Sequence, residues 1–143
     1  MESQTPKPSY DSFFVKNEAD VMSAVMSTYI YTKRLGFSVA LMSEVSTAVS
    51  ELATNAVKYA NGGVVELSSI ESCGRTGVQV VVKDQGEGIQ DIELALTDNF
   101  STQGSLGLGL PGVKRMMDEF LIESSPEQGT TIQLVKWNSG CGF

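Results

Sequence analysis

The sequence predicts an α+β fold, a two-layer α/β sandwich in which helices cover one face of a mixed, mostly antiparallel sheet. Helical periodicity fills residues 17–59, and segments rich in β-branched residues then occur in two pairs with a third helical segment between them. The resulting order is helix–helix–strand–strand–helix–strand–strand. A length of 143 residues is enough for one domain with a buried core between the layers.

The N-terminal half is expected to supply two long helices, preceded by a short edge strand over 12–15. Asn17 is a suitable cap for the first helix, which ends at Gly36. Ser38 begins a longer helix that runs to about Tyr59 and stops at the Asn-Gly-Gly sequence that follows. Its apolar stripe consists of Leu41, Val45, Ala48, Val49, Leu52 and Ala56.

The C-terminal half is expected to supply most of the sheet. In chain order, the predicted elements are strands over 64–70 and 78–82 with a polar loop over 71–77 between them, a short helix over 89–96, a loop over 97–106, a third helix from near Leu110 or Pro111 to about Glu119, and strands over 120–124 and 130–137. The sequence therefore predicts a domain over 13–137, a flexible N-terminus over 1–12 and a tail over 138–143.

Composition excludes several classes of function. The net charge of −7 opposes nonspecific attraction to nucleic acid or to an anionic membrane, so neither is expected as a partner. The sequence contains no histidine, which excludes a histidine nucleophile, base or phosphoacceptor. Cys73 and Cys141 lack the spacing of a metal site, and no apolar run is long enough to span a bilayer. The expected location is the reducing cytoplasm.

The first candidate motif is the pair Glu51 and Asn55 on the second predicted helix. Residues four apart share a helix face. The neutral oxygen of asparagine suits Mg²⁺ when phosphates supply the negative charge, and a glutamate one turn earlier can take a proton from a hydroxyl group or water. Taken alone, such a pair is more often a solvated helix flank.

The second candidate motif is the turn that follows the predicted strand over 78–82. Asp84, at the end of this strand, can accept a hydrogen bond from an exocyclic amine such as that of adenine. Gly86 and Gly88 allow the backbone to approach a flat ring closely. The alternative is an ordinary turn rich in aspartate and glycine.

The third candidate motif is a loop with glycines at 104, 107, 109 and 112, which leads directly into a helix. Backbone amides in such a loop, together with the helix N-terminus, form an anion site suited to a triphosphate. The loop is not a P-loop, since no Gly-Lys-Ser or Gly-Lys-Thr sequence follows, and its spacing is not that of a dinucleotide fingerprint. The alternative is a flexible hinge.

Taken in this order, the motifs resemble the Bergerat ATP-binding fold of the GHKL superfamily, which includes gyrase, Hsp90, histidine kinases and MutL. The resemblance covers residues 17–137, nearly the whole chain. The matches are Glu51 to Asn55 with the N box, Asp84-x-Gly86-x-Gly88 with the first glycine box, Gly104-x-x-Gly107-x-Gly109 with the second, and Gly129-Thr130-Thr131 with the late Gly-Thr motif.

Within that superfamily, the segment 99–120 resembles the serine-protein kinases of bacterial partner-switching systems, above all the stressosome switch kinases. The resemblance implies ATP-Mg²⁺-dependent phosphorylation of serine or threonine on STAS-domain scaffold and antagonist proteins. It also implies that the released kinase activates an output protein, commonly a PP2C-type phosphatase.

The resemblance also assigns roles to individual residues. Glu51 would be the general base, and Asn55 the Mg²⁺ ligand. Asp84 would hold the adenine amine. The other residues expected at the nucleotide are Gly86, Gly88 and Thr130 near the base, and Gly104, Gly107, Leu108 and Gly109 in the phosphate loop, with a lid over 90–106.

Other functions are compatible with the same motifs. Thr54 stands where the stressosome kinases are expected to carry arginine, and it is more similar to the anti-sigma kinases. The alternative is therefore an anti-sigma factor with kinase activity, which sequesters a sigma factor and phosphorylates an anti-anti-sigma protein. A degenerate module that only binds nucleotide is a third possibility, against which the intact Glu51 and Asn55 argue. The motifs alone do not separate a kinase from an ATPase, but gyrase, Hsp90 and MutL need a transducer domain that does not fit here.

Overall fold

The computed structural model describes residues 10–86 and 109–138. The described part contains five strands and three helices, and the helices lie between strands in the sequence. They are β1 (Tyr10–Val15), α1 (Glu18–Arg34), α2 (Val39–Ala60), β2 (Gly63–Ser72), β3 (Arg75–Asp84), α3 (Gly109–Met116), β4 (Glu119–Ser125) and β5 (Gly129–Trp137).

The five strands form one sheet in the order β1-β2-β3-β5-β4. Every neighbouring pair in the described part of the chain is antiparallel, so the predicted α+β fold with a mostly antiparallel sheet is confirmed. β3 is the central strand and pairs with β5 up to Lys83↔Thr131. The end of β3 at Asp84 therefore lies next to the start of β5.

Alternate residues of the central strands are buried, because α2 packs across the sheet. Val78, Val80 and Val82 of β3 are at most 3% exposed. All but one of the predicted stripe residues of α2 are buried, and the exception, Leu41, is half-buried. The hydrophobic core thus lies between α2 and one face of the sheet, and it fixes the orientation of α2.

The helix ends follow the predicted capping chemistry. The Asn17 side chain accepts a hydrogen bond of 2.9 Å from the backbone N–H of Asp20, and the Ser38 hydroxyl accepts one of 3.2 Å from that of Leu41. Asn61 ends α2 in the left-handed conformation, with φ of 61°. No helix among the described residues is both long enough and apolar enough to cross a membrane.

The β2–β3 hairpin is longer than predicted. The polar loop expected over 71–77 is wrong, because the strands remain paired up to Ser72↔Arg75. Only Cys73 and Gly74 form the turn, and both have positive φ, of 54° and 81°. Two-residue hairpin turns require this conformation. Glu71 and Ser72 are therefore exposed strand residues, whose polarity reflects solvent on that part of the sheet.

Two further boundaries differ from the prediction, and two predicted elements lie outside the described residues. β1 begins at Tyr10, two residues before the predicted strand start at 12. α3 ends at Met116 instead of near Glu119. The N–H of Asp118 does not bond within the helix; it donates a hydrogen bond of 2.9 Å to the carbonyl of Val135 on β5. The short helix predicted over 89–96 and the loop over 97–106 lie outside the described residues, and the predicted domain limits stay predictions.

Candidate functional site

Glu51 and Asn55 lie one helical turn apart on α2, and both carry a buried oxygen with no hydrogen-bond partner among residues 10–86 and 109–138. These atoms are Glu51 Oε2 and Asn55 Oδ1. The Glu51 side chain is only 1% exposed, so the pair is not a solvated helix flank. An unpartnered buried acceptor costs about 1–3 kcal/mol. Two of them on one helix face make this pair the candidate for a place where a ligand or cation supplies the missing partners.

Asp84 organises the end of β3. Its Oδ1 accepts hydrogen bonds from the backbone N–H groups of Gly86, at 2.9 Å, and Thr130, at 3.2 Å. Its Oδ2 has no hydrogen-bond partner in the described part of the chain. The carboxylate therefore fixes its own turn through one oxygen and leaves the other available as an acceptor.

Two glycines allow the close approach that this turn requires. A Cβ atom at Gly86 would lie 2.7 Å from the Cβ of Ala60 at the end of α2. A Cβ atom at Gly129 would collide with the carbonyl oxygen of Asp84, and the φ of Gly129 is +77°. The turn after β3 is thus pressed against the last turn of α2, the helix that carries Glu51 and Asn55.

Thr130 lies beside Asp84 at the start of β5 and is 6% exposed. Its hydroxyl oxygen lies 2.7 Å from that of Ser124 on β4. Ser124 belongs to none of the sequence motifs, although pairing of the last two strands around the turn at 126–128 places it opposite Thr130. Together Asp84, Gly86 and Thr130 form one cluster at the end of the central strands.

Gly109 is the first residue of α3 and has φ of +60°. The following residues Leu110, Pro111 and Val113 are buried, and α3 packs against α2. The N-terminal end of α3 therefore belongs to the same part of the fold as the Glu51 helix. The other predicted nucleotide residues, Gly88, Gly104, Gly107 and Leu108, lie outside the described residues.

A family described as histidine kinase-like ATPase domain matches residues 16–136, and this chain belongs to that family. Over 123 residues, the chain is 42% identical to the serine/threonine-protein kinase RsbT of Bacillus subtilis (strain 168), a match that covers 86% of this chain and 92% of RsbT. It is also 39% identical over 102 residues to the anti-sigma F factor of Geobacillus stearothermophilus, covering 66% of this chain and 68% of that factor.

Solved structures show the same fold. The solved chain of the mycobacterial sensor histidine kinase MprB superposes with a TM-score of 0.53 at 20% identity, over 92% of this chain and 96% of that chain. The catalytic domain of histidine kinase ThkA superposes with a TM-score of 0.50 at 17% identity, over 91% and 98% of the two chains. The predicted GHKL fold is therefore confirmed, and so is the predicted class of enzyme, an ATP-using protein serine/threonine kinase of the partner-switching type.

Gly86 offers a direct test of the packing between the β3 turn and α2. Gly86→Ala is expected to lower the free energy of unfolding by about 1–3 kcal/mol, because the added methyl group meets Ala60 and must push the turn away. Urea denaturation followed by circular dichroism measures this change. Gly74→Ala adds a methyl group that meets no atom within 4 Å, but the φ of Gly74 is +81°. This variant therefore measures the cost of backbone strain without a steric contact.

The paired variant Gly86→Ala with Ala60→Gly checks the cause. Removing the Ala60 methyl group vacates the space, so the double variant is expected to be more stable than the sum of the two single effects predicts. Strict additivity of the two effects would show that the contact does not limit the turn.

Proposed function

We propose that this protein uses ATP and Mg²⁺ to phosphorylate a serine or threonine residue of STAS-domain proteins in a stressosome or partner-switching module. The single observation that carries this proposal is the pair of buried, unpartnered oxygens of Glu51 and Asn55 on α2. An acid and an amide one turn apart match the needs of phosphoryl transfer: one group to take the proton of a hydroxyl and one to hold the metal.

The adenine end of the nucleotide would bind at Asp84. Because Oδ1 is committed to the N–H groups of Gly86 and Thr130, Oδ2 is the acceptor for an exocyclic amine. Thr130 lies beside this carboxylate through its backbone N–H, and its hydroxyl oxygen lies 2.7 Å from that of Ser124. Gly86 and Gly88 would leave the backbone close to the base, as the family resemblance implies.

The phosphate end would bind where the glycine loop meets α3. Gly109 begins α3, so the backbone N–H groups of Gly109, Leu110 and Gly112 and the positive end of the helix dipole lie at this point, while Pro111 has no N–H group. Gly104, Gly107 and Leu108 would complete the loop, and residues 90–106 would form the lid. Closure of such a lid excludes water, which favours transfer to a protein hydroxyl over hydrolysis.

Asn55 fits the role of magnesium ligand, because its Oδ1 is a buried neutral oxygen with no protein partner among the described residues. When bound, Mg²⁺ would neutralise the charge that develops on the phosphates. Glu51 would accept the proton from the incoming serine or threonine hydroxyl. Its burial keeps it away from bulk water.

The partners follow from the same proposal. Scaffold and antagonist proteins with STAS domains are the substrates, and an output protein such as a PP2C-type phosphatase is activated when the kinase is released. The site of action is the cytoplasm, without nucleic acid or membrane as partners.

A phosphotransfer assay tests this function. The purified protein, incubated with γ-labelled ATP, Mg²⁺ and a STAS-domain protein encoded beside it, is expected to label that protein on serine or threonine and not to label a variant lacking the acceptor hydroxyl. Release of inorganic phosphate at the same rate with and without the acceptor protein, and no labelling, would instead make the protein an ATPase.

The anti-sigma alternative has its own support. Thr54 matches the expectation for anti-sigma kinases, and the anti-sigma F factor of Geobacillus stearothermophilus is 39% identical over 102 residues. Binding of a sigma factor in a pull-down would favour this function, together with inhibition of transcription directed by that sigma factor in a reconstituted assay. Stimulation of a phosphatase by the same preparation would favour the first.

Asn55→Ala tests the metal role. The variant is expected to bind ATP about tenfold more weakly than the unchanged protein in Mg²⁺, and equally well in excess EDTA, because only the metal-dependent part of binding is lost. Calorimetric titration with and without Mg²⁺ measures both affinities. Thr54→Ala, one residue earlier on α2, is the matched control. Equal weakening under both conditions would refute the assignment to the metal.

A further inference from the structure

The end of α3 that lies away from the glycine loop is held by a partly buried ammonium group. Lys136 Nζ on β5 donates a hydrogen bond of 2.6 Å to the carbonyl oxygen of Met116, the last residue of α3. The same Nζ lies 2.9 Å from Glu44 Oε1 on α2, and the Lys136 side chain is 12% exposed. One charged group therefore joins α2, α3 and β5, which are three of the elements that carry the proposed site.

Two further hydrogen bonds fix the segment after α3 to β5. The N–H of Asp118 donates to the carbonyl of Val135 at 2.9 Å, and the Asp118 carboxylate accepts from the N–H of Trp137 at 2.7 Å. The buried contacts of α3 itself, through Leu110 and Val113, are apolar and have no preferred direction. The polar contacts at the C-terminal end therefore set the position of α3 along its own axis.

α3 is short enough to transmit that position. It has eight residues, and a helix of this length is about 12 Å long and behaves as one rigid piece. A cation at its C-terminus also interacts favourably with the helix dipole. A displacement at Met116 would therefore appear at Gly109, where the backbone amides of the first turn stand.

We propose that Lys136 is a positioning residue for ATP: it fixes α3 against α2 and thereby fixes the amides that receive the phosphates. This inference rests on the proposed function, since it requires that phosphates bind at the Gly109 end of α3. Lys136 does not touch the nucleotide in this scheme. Its effect is therefore specific to ligands that carry phosphates, because adenosine would bind at the turn around Asp84 and Thr130 and would not reach the amides of α3.

The test compares the affinities of variants for ATP-Mg²⁺, by calorimetry, and for adenosine, by competition with a fluorescent ATP analogue. Lys136→Met is expected to weaken ATP binding about tenfold and to leave adenosine binding within about twofold. Lys136→Arg keeps a cationic donor and is expected to recover most of the ATP affinity. Lys33→Met, at the exposed end of α1, removes the same charge elsewhere and is the control.

The possible results separate this inference from the proposed function. If the unchanged protein does not bind ATP, the proposed function fails, whatever Lys136 does. If it binds ATP and Lys136→Met binds equally well, or if ATP and adenosine are weakened equally, the positioning role is overturned.

A variant that fails to fold does not remove the test. Glu44→Gln leaves the bond between Lys136 and Met116 intact and removes only the negative charge that ties Lys136 to α2. A loss of ATP affinity of about threefold, with no loss of adenosine affinity, is therefore expected. An unchanged ATP affinity in Glu44→Gln would then overturn the proposal.

Discussion

Replacing Glu51 by glutamine is expected to slow phosphoryl transfer to a partner protein by about 10²–10⁴-fold, while ATP affinity stays within about twofold of that of the unchanged protein. Glutamine has nearly the same shape but cannot accept the proton of the attacking hydroxyl. Single-turnover transfer from γ-labelled ATP measures the rate of the chemical step, and calorimetry measures binding. Glu51→Ala is expected to lose transfer to a similar extent.

The same substitution has an expected effect on stability. Glu51 Oε2 is buried without a hydrogen-bond partner among residues 10–86 and 109–138, so replacing the acid with a neutral amide of nearly the same shape is expected to raise the free energy of unfolding of the nucleotide-free protein by about 1 kcal/mol. Loss of transfer together with a gain in stability excludes misfolding as the cause of inactivity. Glu71→Gln, at an exposed position near the end of β2, is the control and is expected to change neither quantity. Transfer by Glu51→Gln at the normal rate would show that another group accepts the proton.

Replacing Asp84 by asparagine is expected to weaken ATP binding by about 10- to 100-fold. The asparagine carbonyl oxygen can still accept from the N–H groups of Gly86 and Thr130, so the turn is kept. Its amide group, however, takes the place of Oδ2 and directs a donor toward the amine of adenine. Calorimetric titration with ATP measures the loss, and thermal denaturation is expected to show a nearly unchanged midpoint.

Two variants complete this test. Asp84→Ala removes the ties to Gly86 and Thr130 as well, so it is expected to lower the unfolding midpoint in addition to abolishing binding. Asp11→Asn makes the same chemical change at an exposed position of β1 and is expected to leave binding unaltered. An ATP affinity for Asp84→Asn equal to that of the unchanged protein would rule out contact between this carboxylate and adenine.

The parts of the fold that were predictable from sequence are those set by local chemistry. Asn17 and Ser38 mark the helix starts because a capping side chain bonds to a backbone N–H within the same turn. The strands of the β2–β3 hairpin are longer than the sequence predicts. Glu71 and Ser72 have polar side chains that are typical of a loop, but their backbone pairs with β3 as part of a strand. Backbone pairing depends on the neighbouring strand, which polarity does not report.

In the candidate site too, some residues are predictable from local sequence and others depend on the folded structure. Motif order identified Asp84 and Gly86, but the bond from Asp84 to the N–H of Thr130 joins residues far apart in sequence and exists only because β3 pairs with β5. Lys136 carries no motif at all. A lysine near the end of a strand is ordinarily solvated, and only the packed positions of Met116 and Glu44 distinguish this one.

The strand order β1-β2-β3-β5-β4 has a consequence for how the chain reaches its native state. Although β5 follows the other four described strands in sequence, it lies between β3 and β4, so the edge of β3 that β5 covers stays open during synthesis until β5 has emerged from the ribosome. Long-range pairing of this kind is slow, and an uncovered edge invites pairing with other chains. Assembly of the contact between Asp84 and Thr130 is therefore a late folding event, and chains that lack β5 are expected to aggregate before they acquire any affinity for nucleotide.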